Sequence, residues 1–298
     1  ATPLMMNGKS FKGDYMAIVK ESVNYREKEF PMTDKDFQRI AGLAGRYTGI
    51  VLGEHKRDMV YGRIARRVRK LNLDSFTRYL DFLEANPQQE LSSFINVITT
   101  NLTSFFRENH HFDFLLQKVL PEIKRKNGQV KRMRIWSAGC SSGQEPYSIA
   151  MTLRKFGIPS DWDVKVLATD LDSDVLAKAQ AAIYSASDVD GLDEMTVKNY
   201  FQRSDGRKEV KIKEKVGEYI HFKRLNLLEN WPMKGPFDLI FCRNVVIYFD
   251  KPTQKVLFNR YADMLAVGGY LFIGHSENLH GISDRFENLG NTIYRKVR

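Results

Sequence analysis

The stretch Met133 to Ser148, MRIWSAGCSSGQEPYS, decides the fold. Met133, Ile135 and Trp136 form a short apolar run behind a basic lead-in, the pattern of a buried β-strand. The run breaks at Ser137-Ala138-Gly139, passes through small residues to Gly143, and resumes from Pro146 in a helical pattern. Strand, tight small-residue turn and helix N-terminus is how α/β sheets hold nucleotide-bearing cofactors. The loop departs from the dinucleotide fingerprint, because Cys140-Ser141-Ser142 stand where a middle glycine must let backbone touch a pyrophosphate. Glu145, near the helix start, would repel a pyrophosphate and attract a cation. S-adenosylmethionine is such a ligand, with a sulfonium, an ammonium and no phosphate. Glu145 equally suits the helix dipole as a first-turn acid, so the loop alone leaves both readings open.

At 298 residues, with 43% hydrophobic and 12% aromatic content, the chain suits two globular domains with sizeable cores. No run approaches the ~18 apolar residues of a membrane span, and no signal segment opens the chain. A soluble, cytoplasmic protein without membrane insertion is expected. Residues 1–29 read as an N-terminal arm. Cys140 and Cys242 form no disulfide framework and fall at strand ends, so small buried residues are expected rather than a nucleophile or a metal pair. The net charge of +10 is compatible with nucleic acid, an acidic protein partner, a membrane surface or simple solubility.

Outward from the central stretch, the N-terminal side is helical. Thr33 to Asp36 caps an apolar pattern at Phe37, Ile40 and Leu43, closed by Gly45 and Gly49. Residues 54–71 follow with Met59, Val60, Ile64 and Val68 on one face. Lys56, Arg57, Arg63, Arg66, Arg67, Arg69 and Lys70 crowd the other against only Glu54 and Asp58. That cationic stripe reads either as a solvated face or as a partner surface centred on Arg63, Arg66 and Arg67. Asp74-Ser75 and Pro87 open two more helices, so residues 30–100 form an all-helical domain. Residues 101–130 hold a linker and a helix from about 109 to 126. Phe105-Phe106, side by side, are expected to pack against the second domain.

On the C-terminal side, strand and helix alternate. Strands are expected over 164–169, 219–225, 237–242, 270–274 and 291–297, and helices over 175–182 and 252–265, the latter closed by Gly268-Gly269. This is a parallel doubly wound sheet ending in an edge hairpin. Residues 206–218, GRKEVKIKEKVGE, alternate at period two and read as a small antiparallel excursion. Ligands of such sheets lie at the carboxyl ends of the strands. Those ends offer Gly139 and Glu145, then Asp170, then Asn226, then Arg243-Asn244. An acid after the second strand suits both ribose hydroxyls, and an asparagine amide suits an adenine edge. Each also fits a bland role such as a helix cap, but their joint placement on successive strand ends favours a cofactor site.

The runs TTNLTSFFRE, WSAGCSSGQEPYSIAM, ATDLD, FDLIFCRNVVIYF and GGYLFIGHSENL, in this order and spacing, resemble the chemotaxis receptor methyltransferases, the CheR family, from about residue 30 to the end. The resemblance implies an α/β fold, a Rossmann-like S-adenosylmethionine-dependent methyltransferase sheet over 131–298. A small antiparallel β-subdomain (203–220) is inserted in it, and the all-α domain precedes it. It implies methyl transfer from S-adenosylmethionine to glutamates on the cytoplasmic domain of transmembrane chemoreceptors, releasing S-adenosylhomocysteine, by a monomer. Carried onto matching positions, Asn101, Thr103 and Arg107 would line the cofactor pocket from the linker. Glu145 would take the ammonium, Asp170 the ribose, Asn226-Leu227 the adenine, and Arg243-Asn244 would close the pocket with Gly139. Arg107 and Tyr248 would serve the reacting end; Tyr248 also fits a simple aromatic cover.

A glutamate carboxylate, with a reference pKa near ~4.3, is already ionised at neutral pH and needs no general base. Catalysis then reduces to desolvation and alignment, for which a guanidinium fork is suited. His275 in GHSEN has no such task and is read as structural. Members that dock on a receptor's C-terminal tether carry a longer, Gly-Pro-containing turn in the β-subdomain. Here Arg203-Ser204-Asp205-Gly206-Arg207 lacks it, so tether binding is not expected. A nucleic-acid methyltransferase is the chief rival, but it would bring an Asn/Asp-Pro-Pro-aromatic pocket where this chain has Arg243-Asn244-Val245-Val246. A non-catalytic module sensing S-adenosylmethionine is the second rival.

Overall fold

The computed structural model describes residues 29–203 and 208–298. Most of the expected arm and the turn at 204–207 lie outside the described residues. Four helices build the N-terminal unit: α1 (Asp34–Thr48), α2 (Arg57–Lys70), α3 (Phe76–Ala85) and α4 (Pro87–Ile98). Their ends follow local chemistry. The Asp36 amide donates to Thr33 Oγ1 at 3.1 Å while the Thr33 amide donates back to Asp36 Oδ2 at 3.0 Å, a reciprocal capping box. Ser75 caps α3, and Pro87 stands in the first turn of α4, where its missing N–H costs nothing. Phe37, Ile40, Val60, Ile64, Phe76, Leu80 and Phe94 fill one core between the helices.

The cationic stripe on α2 is smaller than the sequence suggests, and the correction falls on Arg63 and Arg67. Arg63 Nη1 donates to the carbonyls of Ile98 at 2.9 Å and Thr99 at 2.7 Å, closing the C-terminal end of α4. Arg67 grips Glu90 with two bonds of 2.8 and 2.6 Å, and the Tyr79 hydroxyl donates to the same carboxylate at 3.0 Å. Glu90 is buried, and a buried carboxylate needs a paired, bidentate partner. Arg57 is paired with Asp34 and Glu54, and Arg69 with Glu29. Arg66 and Lys70, one turn apart, remain exposed on α2.

The linker runs into a continuous helix with an internal π-turn: α5 (His110–Phe114), the π-turn (Leu115–Val119) and α6 (Leu120–Lys126). The sheet has seven strands: β1 (Arg132–Ala138), β2 (Asp163–Asp170), β6 (Ile220–Arg224), β7 (Phe237–Cys242), β8 (Leu265–Ile273), β9 (Phe286–Asn288) and β10 (Ile293–Lys296). Their order is β6-β2-β1-β7-β8-β10-β9. The first five run parallel, and β10 and β9 close the edge antiparallel, as the hairpin reading requires. Side chains alternate between two covers. Met133, Ile135, Leu239, Phe241 and Phe272 pack under the linker helix and α7 (Gln144–Phe156). Trp136, Ile240, Leu271 and Ile273 pack against Leu257, Phe258 and Tyr261 of α11 (Lys251–Met264). Phe241 and Phe272, paired in register, stack at 4.4 Å.

Two boundaries differ from the sequence reading. Gly268-Gly269 do not close α11: the chain leaves the helix at Leu265 in extended conformation, and both glycines lie inside β8, opposite an irregularity in the β7 pairing. The antiparallel excursion uses only Glu209–Ile212 (β5) of the alternating segment. Its partners are β3 (Ile183–Ser185) and β4 (Phe201–Arg203), so the small sheet starts upstream of residue 203, while 220–224 belongs to the main sheet. Period two marks an extended segment, yet it cannot name the partner strands. Between β3 and β4 stands α9 (Glu194–Tyr200), and α10 (Glu214–Gly217) follows β5. Among the described residues no helix is long and apolar enough to cross a membrane.

Candidate active site

A cleft opens at the carboxyl ends of β2, β1 and β7, walled by the linker and by the α1–α2 connection. Asn101, Thr103, Arg107, Gly139, Glu145, Asp170, Asn226, Leu227, Arg243, Asn244 and Tyr248, the whole expected pocket set, line it. The sheet topology assembles the strand-end residues, and the linker supplies the first three. The linker is fastened at both ends. Asp172, which caps α8 (Ser173–Ala181) through Oδ1, uses Oδ2 to accept from Asn101 Nδ2 at 2.7 Å and Thr99 Oγ1 at 2.9 Å. Farther along, the Phe106 amide donates to Ser148 Oγ at 2.9 Å, and the Phe105 ring packs edge-on against Tyr184 and Phe201 of the small sheet.

The turn after β1 keeps its small residues for close approach. Gly139 has φ +85°, and a Cβ there would stand 2.4 Å from Val245 Cγ2. Ser141, Phe106, Glu108 and Asn244 also take positive φ without being glycine. Such conformations cost about 1–3 kcal/mol each and gather where a site holds them. Asp170 accepts the amides of Ser141 at 2.8 Å and Asp172 at 3.0 Å. Burial outweighs those bonds and pushes its carboxyl up to about 6.

Arg243 joins the deepest groups. Its Nη1 lies 3.2 Å from Glu145 Oε2, its Nη2 lies 3.4 Å from Glu108 Oε2, and Nη2 also donates to the Arg107 carbonyl. Glu145 takes a second bond from Ser137 Oγ at 2.7 Å; burial raises its carboxyl and Arg243 opposes the rise. At Glu108 burial is outweighed, and Arg243 with His275 brings the carboxyl down to about 2. His275 is exposed and lies 3.1 Å from Glu108 through Nδ1, outside the cleft lining. Tyr248 sits in a short 3-10 turn with its carbonyl accepting from Val51 and Lys56 Nζ 5.3 Å over its ring, so the base of α2 meets the cleft mouth.

One expected role needs correction. The Asn226 amide donates to the Tyr47 carbonyl at 3.0 Å and to Glu229 at 3.1 Å, and its Oδ1 accepts from Leu228. It shapes the loop and ties it to the helical unit rather than presenting a vacant amide edge to an adenine. Asp172 is legible as a helix cap, but its hold on the linker is not, nor are the roles of Glu108 and Ser137. All three sit in the quoted runs, yet nothing in those runs names their partners. The lining suits S-adenosylmethionine chemically. It offers two carboxylates for a cation and hydroxyls, its deepest cation Arg243 is already paired with acids, and Arg107 Nη1 donates to the Leu102 carbonyl at 2.9 Å.

Comparison with known proteins accords with this geometry. Residues 35–99 match the all-alpha domain of CheR methyltransferase, and residues 101–295 match its SAM binding domain. The fold and cleft therefore define an S-adenosylmethionine-dependent methyltransferase. The chain belongs to the CheR methyltransferase family. It is 46% identical over 269 residues to a chemotaxis protein methyltransferase of Salmonella typhimurium, covering 88% of this chain and 90% of that one. The Escherichia coli protein of the same name is 44% identical over 269 residues, covering 88% and 91%. Chemotaxis protein methyltransferase 2 of Pseudomonas aeruginosa is 40% identical over 274 residues, covering 91% and 96%.

Only the ionised Asp170 accepts two hydroxyl donors, so a ligand that uses it must lower its pKa. S-adenosylmethionine affinity, measured by calorimetry, should fall by up to about tenfold per pH unit below about 6. Asp170→Asn should weaken binding by about 1–3 kcal/mol at pH 8 and flatten that dependence. Parental affinity in the variant removes Asp170 from the site.

Proposed function

We propose that this chain transfers a methyl group from S-adenosylmethionine to glutamate side chains of chemoreceptor cytoplasmic helices, forming methyl esters, in the cytoplasm and without a tether site. One observation carries the reading. Among the described residues that line the cleft there is no histidine, lysine or cysteine, and its carboxylates are engaged by Arg243 or by backbone amides. Such a site has no free base, so it favours an acceptor that is already anionic. A glutamate is that acceptor at neutral pH. Bound S-adenosylmethionine supplies a methyl electrophile and leaves as S-adenosylhomocysteine.

The roles of the chain's own residues follow. Glu145 and Asp170 hold the cationic and hydroxyl-bearing ends of the cofactor, and the Leu227 backbone and Asn244 flank it. Arg107 holds the acceptor carboxylate in a planar fork, and Tyr248 donates to its second oxygen. Their work is positional: the carboxylate is stripped of water and aligned, and no proton moves. Arg66 and Lys70 present a cationic surface on α2, whose base reaches the cleft mouth at Lys56, and a glutamate-bearing helical bundle complements that field.

Labelled cofactor offered with receptor cytoplasmic fragments, DNA and RNA should place base-labile label on the fragments, equally fast with or without their C-terminal tail. Label on nucleic acid, or cofactor binding without transfer, overturns the reading. Charge should govern encounter. Raising salt from about 0.05 to 0.3 M shortens the Debye length from roughly 14 to 6 Å and should slow methylation. Arg66→Glu with Lys70→Glu should lower the rate at subsaturating receptor and flatten the salt slope, leaving cofactor affinity unchanged. A parental rate and slope would reduce the stripe to a solvated face.

A further inference from the structure

Glu277 is buried, with 5% of its surface exposed, and among the described residues no cation lies within ion-pair distance of it. Its carboxylate is held instead by four backbone N–H groups. Oε2 accepts from Gly274 at 2.6 Å and from Asn244 at 3.0 Å. Oε1 accepts from Val245 at 2.9 Å and from Ile247 at 3.3 Å. Three of these four donors belong to the segment 244–248 that follows β7, and the fourth marks the end of β8. One side chain thus fastens the segment that carries Asn244, Val245 and Tyr248 of the cleft lining onto the neighbouring strand.

The contact is close because Gly274 lacks a side chain: a Cβ there would lie 2.4 Å from Asn244 Nδ2. It is also needed, because Asn244 has φ +58°, a conformation that must be held against its cost. On the other flank, Gln254 Nε2 donates to the carbonyls of Val246 at 2.9 Å and Phe249 at 3.0 Å, so the segment is pinned through its amides on one side and its carbonyls on the other. A buried, uncompensated carboxylate is expensive. An apolar residue would suit a purely structural corner better, whereas four converging amides need an anion.

We infer that Glu277 is a positioning residue for methyl transfer: its carboxylate sets the backbone of Asn244 to Ile247 and thereby the placement of Tyr248 at the reacting end. Glu277→Gln preserves volume but turns an NH₂ group toward two N–H donors. Amide exchange at Asn244, Val245 and Ile247 should quicken at least tenfold, while amides within β7 keep parental protection. Turnover per folded molecule should fall at least tenfold, with the folded fraction read from chemical denaturation. Glu277→Asp, which keeps the charge on a shorter stem, should recover part of the turnover, and it carries the same comparison should the glutamine variant not fold. Parental protection at the three amides, or a loss that only tracks the folded fraction, would overturn the inference. The turnover arm rests on the glutamate reading above, whereas the exchange arm does not. Inactivity of the parent on receptor, with faster exchange in the variant, would fault that reading while supporting Glu277 as the anchor of the 244–247 backbone at the cleft.

Discussion

The site depends first on Arg243. It stands at the end of β7 with 2% of its side chain exposed, and two separate pieces meet on its guanidinium: α7 through Glu145, and the linker run through the Arg107 carbonyl and Glu108. Charges this deep are tolerated only when paired in good geometry, and removing one partner strands the others. The planar fork matters because its two ends face different partners, Nη1 toward Glu145 and Nη2 toward Glu108 and the Arg107 carbonyl. The linker is therefore part of the sheet's electrostatics, and its Arg107 is placed by a bond from the opposite wall of the cleft.

A second constraint joins the helical unit to the sheet. Asp172 caps α8 with one oxygen and holds Thr99 and Asn101 with the other. Asn96 and Ser173 exchange two further bonds nearby, and Asn226 reaches the Tyr47 carbonyl. These contacts make the cleft a property of both units together. The cationic side of α2 then lies beside the cleft mouth because Arg63 caps α4 at the point where the linker begins. Arg63 and Arg67 serve the fold, and serving it keeps their neighbours Arg66 and Lys70 at the surface.

Much of this was legible in the chain because it is local. Strand, small-residue turn and helix between Met133 and Ser148 are written in consecutive residues, as are the caps at Thr33, Ser75 and Pro87. The strand-end residues could be gathered because topology alone brings successive carboxyl ends together. What was missed acts across sequence distance. Glu90 looks like an ordinary helix acid until Arg67, 23 residues away, is seen holding it. The vacant amide expected of Asn226 is spent on Tyr47, and Glu277 works through the backbone of a segment 30 residues earlier. Ile183–Ser185 joins the small sheet with too few residues to show a period.

On this geometry S-adenosylmethionine binding should require Arg243 to hold linker and sheet together. Calorimetric titration of S-adenosylmethionine into Arg243→Lys tests it most directly, because lysine keeps the charge and loses the fork. Binding should weaken by at least about tenfold, roughly 1.4 kcal/mol, in a variant whose circular dichroism spectrum matches the parent. Parental affinity in a folded variant would contradict it.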